Sequence, residues 1–312
     1  MILLTGASGF VGKRLLKKLK NNDSKVVTVF RGEMVDKERE KFVHGIDSAT
    51  DWSDKLLSVD IIIHCAARVH VMREYAKNPL EEFREVNVLG TMKLARSAAE
   101  AGVKRFIFVS SIKVNGESTT GKKPYTSTDQ PAPEDPYGIS KAEAEEQLIA
   151  LGKETGMEIV IIRPPLVYGA GVKANFAAIC NLVSKGLPLP FGSLSANKRS
   201  MVYVGNLISL IIECVKNEKA ANQIFLVSDN DDLSLSDFIK RLSIAMGKNT
   251  LLLPFPKSLF ELAGKLTGKT TLVDRLVGSL QVDINHTCQT LDWTPPYSVE
   301  DGFTETVKDF QK

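Results

Sequence analysis

A tyrosine and a lysine four positions apart, Tyr137 and Lys141, are the pair whose types and spacing point most directly to chemistry. On a helix, positions i and i+4 lie on one face, so the lysine ammonium would sit beside the phenol. A neighbouring positive charge favours the phenolate, and we therefore expect the pKa of Tyr137 to fall below its reference of about 10. Such a tyrosine can give a proton to a ketone, or take one from a hydroxyl, as the carbon is reduced or oxidised.

Ser110 and Ser111 offer a third polar group for the same chemistry, because they directly follow the apolar run Lys104–Val109. This run has the composition of a buried strand, and the carboxyl ends of parallel strands line a ligand crevice. Ser111 precedes Tyr137 by 26 residues, and we expect it to hydrogen-bond the reacting oxygen or the tyrosine hydroxyl. Capping of the strand end is the alternative role for either serine.

Three glycines spaced by three, Gly6, Gly9 and Gly12, follow the strand-like segment Ile2–Thr5 and open the helical segment Gly9–Lys20. Glycines in such a turn permit a tight bend and a close approach of the backbone to a pyrophosphate, and the helix N-terminus favours its negative charge. Because strand, glycine turn and helix occur in this order, the sequence predicts a dinucleotide cofactor, NAD or NADP. Its nicotinamide would exchange the hydride that accompanies the tyrosine's proton.

The second strand-like segment, Val26–Phe30, is followed by Arg31 with no carboxylate beside it. An acid at this place hydrogen-bonds the ribose 2′-hydroxyl of NAD, whereas an arginine can hold the 2′-phosphate of NADP. The sequence therefore favours NADP, with NAD as the alternative. Lys13 or Arg14 would be a second basic contact, and a solvated surface position is the alternative for Arg31.

The elements that must position these residues follow from apolar patterning. Three further strand-like runs and two long helical patterns occupy residues 59–64, 104–109, 158–162, 79–101 and 138–154. The strand-like runs are apolar without alternation, which is typical of a parallel sheet covered by helices on both faces. The sequence thus predicts an α/β protein, a Rossmann-type doubly wound parallel sheet with a smaller, mostly helical substrate-binding portion.

The pattern loosens after Arg163, where prolines and glycines cluster. A strand–helix–strand piece at 201–227 is expected to return to the main sheet, and residues 229–312 have a more helical pattern. The predicted division is a cofactor-binding domain at 1–165 and 201–228, and a substrate-binding portion at 166–200 and 229–312.

Composition excludes several classes of protein. The chain has 312 residues, of which 43% are hydrophobic and 25% charged, and a net charge of +3 is too small to indicate a nucleic-acid partner. Its four cysteines are scattered, so neither a disulfide framework nor a metal site is expected. With no leader-like start and no run of 18 apolar residues, we expect a cytoplasmic protein that does not enter a membrane.

Taken together, these motifs resemble those of the extended short-chain dehydrogenase/reductases, in particular the NAD-dependent epimerase/dehydratase family, over nearly the whole chain. The motifs that match are Thr5–Gly12, His64–Ala67, Asn87, Ser111, Tyr137 and Lys141. The resemblance implies that Ser111, Tyr137 and Lys141 are catalytic and that Lys141 also binds the nicotinamide ribose. It implies a cofactor-binding set of Gly6, Ser8, Gly9, Phe10, Val11, Gly12, Arg31, Asp47, Ala66, Ala67, Asn87, Ser110, Tyr137, Lys141 and Pro164.

The resemblance also implies a nucleotide-sugar substrate and a homodimer packed through the helices at 79–101 and 138–154. The implied substrate contacts are Ser111, Asn175, Arg199 and Arg275. An arginine suits a diphosphate because its planar guanidinium donates two parallel hydrogen bonds. A solvated surface position is the alternative for each arginine.

Three departures from the sugar-epimerase pattern bear on the reaction. Leu166 stands where epimerases often have asparagine, and Lys113 and Asn115 stand where 4-epimerases commonly have a small residue and a tyrosine. These features resemble UDP-N-acetylquinovosamine-type 4-ketoreductases of surface polysaccharide biosynthesis. The main expectation is therefore C4 reduction of a UDP-4-keto-6-deoxy-N-acetylhexosamine. The alternatives are a UDP-hexose 4-epimerase, of the UDP-glucose or UDP-GlcNAc type, a reductase of a non-sugar ketone, and an inactive NADP-binding protein, which should have lost the tyrosine or lysine.

Overall fold

A computed structural model describes residues 1–31, 40–43, 45–69, 78–172, 174–268, 270–308 and 310. Within these residues the main sheet contains seven parallel strands in the order β3-β2-β1-β4-β5-β6-β9. The strands are β1 (Ile2–Thr5), β2 (Val26–Arg31), β3 (Glu40–Val43), β4 (Ile61–His64), β5 (Arg105–Val109), β6 (Glu158–Arg163) and β9 (Ile224–Leu226). Strand order reverses between β1 and β4, so a ligand crevice is expected at the carboxyl ends of these strands. The predicted doubly wound parallel sheet is confirmed.

Helices cover both faces of this sheet. They are α1 (Phe10–Asn21), α2 (Pro79–Arg84), a π-helical stretch (Glu85–Gly90), α3 (Thr91–Glu100), α4 (Pro136–Thr155) and α6 (Val204–Lys216). The sequence predicted one continuous helix at 79–101, and the structure shows a helix whose middle is widened into π geometry. Such π segments are rare in proteins, and those that occur often lie at functional sites.

The unalternating apolar strands are explained by burial on both sides. In β4, Ile63 packs in the core under α1 and α6, while its neighbour Ile62 packs in the core under α3 and α4. Both side chains are completely buried. Because successive side chains of a strand point to opposite faces, both faces of these strands favour apolar residues.

A second portion of the chain builds its own apolar core beyond the carboxyl ends of the strands. Its elements are β7 (Leu166–Tyr168), α5 (Ala174–Ser184), β8 (Met201–Tyr203), α7 (Leu235–Ala245), α8 (Lys257–Leu266), α9 (Thr270–Val277) and α11 (Val299–Val307). Helix α10 (Asn285–Leu291) instead packs against β9 of the main sheet. The core centres on Tyr168, which stacks on Phe176 at 5.3 Å between ring centroids and donates a hydrogen bond to Asp229 at 2.8 Å. This portion places α9 against the loop after β5.

Three strand assignments differ from expectation. β3 and β7 were not predicted, since β3 carries two charged residues in four and β7 follows two prolines. The piece at 201–227 was expected to return to the main sheet, but only β9 joins it. β8 instead pairs with β7 in a separate two-stranded parallel sheet, because Leu166–Tyr168 offers it a partner outside the main sheet.

Candidate active site

The glycine turn after β1 forms a cradle of bare backbone. Gly6 adopts a φ of +72°, a conformation that favours glycine, and an added Cβ would lie 2.7 Å from the backbone N of Ala66. The Gly9 N–H donates to the carbonyl of Gly6 at 2.9 Å, and this closes the turn. A Cβ at Gly12 would overlap that same carbonyl. Each glycine therefore allows a close approach that a larger residue would block.

Helix α1 begins directly behind this cradle, with Gly9 as its N-cap. No side chain caps the helix start and its first turn contains no acid, so the positive end of the helix dipole is left for an anion. Ser8, Gly9, Phe10 and Val11 are exposed or half-buried at this end. The cradle and helix end thus fit the pyrophosphate of a dinucleotide.

The predicted cofactor contacts after β4 lie beside the same turn. Ala66 packs against Gly6, and Ala67 follows it, half-buried. Asn87 lies in the π-helical stretch, and its side-chain amide forms hydrogen bonds within the protein. Its Oδ1 accepts from the Arg68 N–H at 2.8 Å, and its Nδ2 donates to the Arg68 carbonyl and to Ser140 Oγ, each at 3.0 Å. Asn87 thereby ties the loop after β4 to α4.

Other predicted cofactor contacts have different outcomes. The side chain of Arg31 lies outside the described part of the structure, although its backbone ends β2. Asp47 accepts hydrogen bonds from the Ala49 N–H and from Thr50 Oγ1 within its own turn. Arg14 was predicted as a second basic contact, but its guanidinium donates to the carbonyls of Phe10 and Ala170, which anchors α1 to the loop after β7.

Tyr137 enters the site at the first turn of α4. Asp135 is the N-cap of this helix, its Oδ1 accepts from the Gly138 N–H at 2.7 Å, and Pro136 follows at the first helical position. The Tyr137 ring is half-buried and meets Phe83 of α2 edge-on at 6.0 Å between centroids. These contacts fix the ring near the carboxyl end of β5.

The expected lowering of the Tyr137 pKa is not what the chain's own residues produce. Burial raises the pKa of Tyr137, and the charge of Asp135 raises it further. The reason is the direction of Lys141, whose ammonium donates to the Val109 carbonyl at 2.8 Å and lies 4.1 Å from the centroid of the Phe108 ring. The lysine shares the helix face with Tyr137 but turns its charge towards the end of β5.

Lys141 is almost completely buried, and burial lowers its pKa to about 8, against a smaller opposing effect of Glu145. Next to it, burial and the lysine charge lower the pKa of His64 to about 3, so the imidazole is neutral at physiological pH. His64 bridges Thr5 Oγ1 at 2.7 Å and Thr91 Oγ1 at 3.1 Å. The site therefore holds one buried ammonium beside a neutral imidazole.

The structure separates the roles of the two serines. Ser110 is buried, and its hydroxyl donates to the Glu145 carboxylate. Ser111 is half-buried at the start of a 3₁₀ turn, Ile112–Val114, and its Oγ accepts from the Lys113 N–H at 3.3 Å. Because Ser111 is the acceptor in that contact, the contact leaves its hydroxyl proton for another oxygen. Pro164, also a predicted cofactor contact, holds the same turn by accepting from the Ile112 N–H at 2.9 Å.

Sequence reasoning missed a buried ion pair beneath these groups. Arg163 and Glu145, each 3% exposed, pair at 2.5 Å through Nη2 and Oε2. Arg163 Nη1 also donates to Asn115 Oδ1 at 2.9 Å, and Asn115 Nδ2 donates to the Thr126 carbonyl at 3.0 Å. The available signal was Glu145 one turn after Lys141 on the same helix face.

The predicted substrate arginines lie together where α9 approaches the loop after β5. Arg199 Nη1 donates to the Arg275 carbonyl at 2.9 Å, and Arg275 Nη2 pairs with Glu117 at 3.0 Å. Burial, and then the charge of Arg275, lower the pKa of Arg199. Two neighbouring cations of this kind favour an anionic ligand. Asn175 is the second residue of α5, but its side chain lies outside the described part of the structure.

The described ranges, which omit 32–39, 44, 70–77 and a few single positions, contain no group of three or more His, Cys, Asp and Glu side chains that could hold a metal ion. They also contain no helix long and apolar enough to span a membrane.

Comparisons with known proteins agree with this geometry. The family model described as "NAD dependent epimerase/dehydratase family" matches residues 2–228. A "UDP-glucose 4-epimerase" of Vibrio cholerae is 51% identical over 99% of this chain and 95% of that protein. An "N-acetyl-alpha-D-glucosaminyl-diphospho-ditrans,octacis-undecaprenol 4-epimerase" of Escherichia coli O157:H7 is 27% identical over 98% of this chain and 94% of its own length.

Solved structures show the same fold. The UDP-N-acetylglucosamine 4-epimerase from Bacillus cereus has a TM-score of 0.80 to this chain, at 20% identity over 97% of this chain and 96% of that one. At this identity the likeness concerns the fold alone.

Proposed function

Because the chain belongs to the NAD-dependent epimerase/dehydratase family, and is thus an NAD(P)-dependent nucleotide-sugar enzyme, we propose that it interconverts the C4 epimers of a UDP-hexose. The observation that carries this proposal is the 51% identity, over almost the full length of both chains, to a UDP-glucose 4-epimerase. It favours the epimerase over the ketoreductase that Lys113, Asn115 and Leu166 indicated at first. Ser111, Tyr137 and Lys141 would serve either reaction, so the two activities differ in how the cofactor is used.

The chain's own residues account for the proton chemistry of such a reaction. The glycine cradle and the start of α1 would hold NAD, which would supply reversible hydride transfer at the sugar C4. Tyr137 removes the proton of the C4 hydroxyl and gives it back, and Ser111 donates a hydrogen bond to that oxygen as it becomes a ketone. To remove that proton Tyr137 must be a phenolate, and Lys141 keeps a buried positive charge on the same face of α4, at the carboxyl end of β5.

The arginine pair would hold the diphosphate of the substrate. We expect Arg199→Ala to raise KM for the UDP-sugar by about ten- to a hundredfold, with a smaller change in kcat, because a charge-assisted hydrogen bond contributes about 1.5–3 kcal/mol. Steady-state kinetics with UDP-glucose and UDP-GlcNAc measure this. Arg241→Ala is the matched control, since Arg241 of α7 pairs with Asp231, which precedes that helix, and with Glu300 of α11. Equal KM for Arg199→Ala and the control would remove Arg199 from the substrate site.

The fate of the cofactor separates the epimerase from the ketoreductase. An epimerase must retain its cofactor between the two hydride transfers, so we expect denatured, freshly purified protein to release about one NAD per chain. It should then interconvert UDP-sugar C4 epimers with no added reductant. Cofactor released by heat can be identified by chromatography and counted by absorbance.

Arg31 carries the second candidate function, because an arginine at the end of β2 can pair with the 2′-phosphate of NADP. If the ketoreductase is correct, the purified protein holds little cofactor and consumes NADPH with a UDP-4-keto-6-deoxy sugar. In that case Arg31→Ala lowers the NADPH preference by about ten- to a hundredfold. Unchanged NADPH preference in Arg31→Ala would exclude Arg31 as the phosphate contact.

A further inference from the structure

Lys113 is one of the residues that departs from the sugar-epimerase pattern, and the proton chemistry above does not use it. It lies two residues after Ser111 in the 3₁₀ turn Ile112–Val114, with 27% of its side chain exposed. Its ammonium pairs with the carboxylate of Asp135, and also with Glu117 at 3.1 Å. The turn that carries Ser111 is therefore joined by an ion pair to the residue that caps the helix of Tyr137.

The backbones of the Ser111 turn and of the start of α4 pack closely against each other. A Cβ at Gly138, the residue after Tyr137, would lie 2.9 Å from the Lys113 carbonyl. The two carboxylate oxygens of Asp135 have different partners. Oδ1 accepts a hydrogen bond from the Gly138 N–H, and Oδ2 pairs with the Lys113 ammonium. A shift of Lys113 would therefore be transmitted to the first turn of α4.

The pair ends a row of alternating charges. Asp135 contacts Lys113, Lys113 contacts Glu117, and Glu117 contacts Arg275 at 3.0 Å. Each charge in this row has an opposite neighbour, so Asp135 does not present a free carboxylate two residues from Tyr137. Without Lys113, Asp135 would remain an anion at the start of α4.

We propose that Lys113 is a positioning residue for proton transfer at Tyr137, holding the Ser111 turn against the start of α4 and neutralising Asp135 there. This inference rests on the proposed role of Tyr137 as the acid and base. Burial, and then the charge of Asp135, raise the pKa of Tyr137, and an Asp135 without its Lys113 partner would raise that pKa further. Lys113 acts through Asp135 and needs no contact with the substrate.

Other titratable groups around Tyr137 are already accounted for by partners or by burial. From α2, Arg84 pairs with Glu143 at 2.6 Å and Glu81 at 3.0 Å, and Glu82 faces Arg68 at 3.6 Å. From the end of β4, His64 is neutral, and burial raises the pKa of the Cys65 thiol to about 12. On α4 itself, Lys141 binds the Val109 carbonyl and Glu145 pairs with Arg163. Of the two carboxylates that pair with Lys113, Glu117 keeps Arg275 as a second partner, whereas Asp135 would lose its ion pair.

The test is a double-mutant cycle of Lys113 and Asp135, measured in the holoenzyme with saturating NAD⁺. Lys113→Met should move the rising limb of the kcat–pH profile up by about one pH unit, since it unpairs a carboxylate two residues before Tyr137 whose charge already raises the tyrosine pKa. Asp135→Asn keeps an N-cap residue and should move the limb down. The double variant should return close to wild type, and Lys113→Arg should restore the wild-type profile.

A second readout does not require turnover. Tyrosine labelled with ¹³C at Cζ reports ionisation by NMR, and the Tyr137 signal is the one lost in Tyr137→Phe. Its midpoint should rise in Lys113→Met and fall in Asp135→Asn. Lys104→Met, which removes a lysine facing Asp60 at the other end of β5, is the control and should leave the midpoint unchanged.

The outcomes separate the two proposals. Absence of epimerisation at every pH, with the opposite midpoint shifts present, overturns the epimerase and keeps the role of Lys113. Equal midpoints in wild type, Lys113→Met and Asp135→Asn overturn the role of Lys113, whatever the activity. If Lys113→Met does not fold, Asp135→Asn alone decides, because a limb that fails to move down contradicts the proposal.

Discussion

Tyr137→Phe is expected to lower kcat for C4 epimerisation by about a hundred- to ten-thousandfold, the usual contribution of a general acid or base. The change removes the hydroxyl and leaves the ring, which packs edge-on against Phe83. Cofactor content and KM should change little, because the glycine cradle and the arginine pair are untouched. Progress curves with UDP-glucose, followed by chromatography of the two epimers, measure the effect.

Tyr297→Phe is the matched control, since it removes the same atom from an exposed tyrosine that meets Tyr203 edge-on in the second portion of the chain. It should retain wild-type kcat. If Tyr137→Phe keeps more than about a third of wild-type kcat while fully loaded with cofactor, Tyr137 is not the acid and base. Thermal unfolding of each variant shows whether a loss of kcat reflects chemistry or folding.

Local patterns explain how much of this site could be predicted from the sequence. The order of strand, glycine turn and helix at 2–20 is contiguous in the chain, and the structure shows the same elements within one or two residues. Tyr137 and Lys141 were placed on one helix because a spacing of four is a helical repeat. The carboxyl ends of β1, β4 and β5 meet at one edge because their apolar runs allow only a parallel, doubly covered sheet.

Contacts between distant residues explain what could not be predicted. The direction of the Lys141 ammonium depends on the Val109 carbonyl, 32 residues away, and the pKa of Tyr137 depends on burial by other elements. The sequence does not show which of the two adjacent serines is buried. That depends on the hydrogen bond from Ser110 to Glu145, a residue 35 positions later. The partner of Lys113 is 22 residues away, and helical or strand periodicity carries no information about such a pair.

The largest effect on stability is expected at the Arg163–Glu145 pair. Arg163→Met should lower the free energy of unfolding by about 3–5 kcal/mol, because it leaves a buried carboxylate without its partner. Both side chains are 3% exposed, and the guanidinium also donates to Asn115. Chemical unfolding followed by circular dichroism, with cofactor content matched, measures the difference. Loss of Arg163 should also release Asn115, and so loosen the turn that carries Ser111.

The alternative explanation is that Arg163 contributes mainly through the packing of its aliphatic stem. Glu145→Met/Arg163→Met removes both charges and keeps comparable volume, so it should recover most of the stability that Arg163→Met loses, since buried pairs replaced by apolar residues are often neutral. Arg241→Met, in a half-exposed pair with Asp231, should cost less than about 1 kcal/mol. If the double variant is as unstable as Arg163→Met, the unpaired carboxylate is not the cause. A recovered double variant that still shows reduced kcat would instead assign the pair to holding Ser110, Asn115 and the turn between them in place.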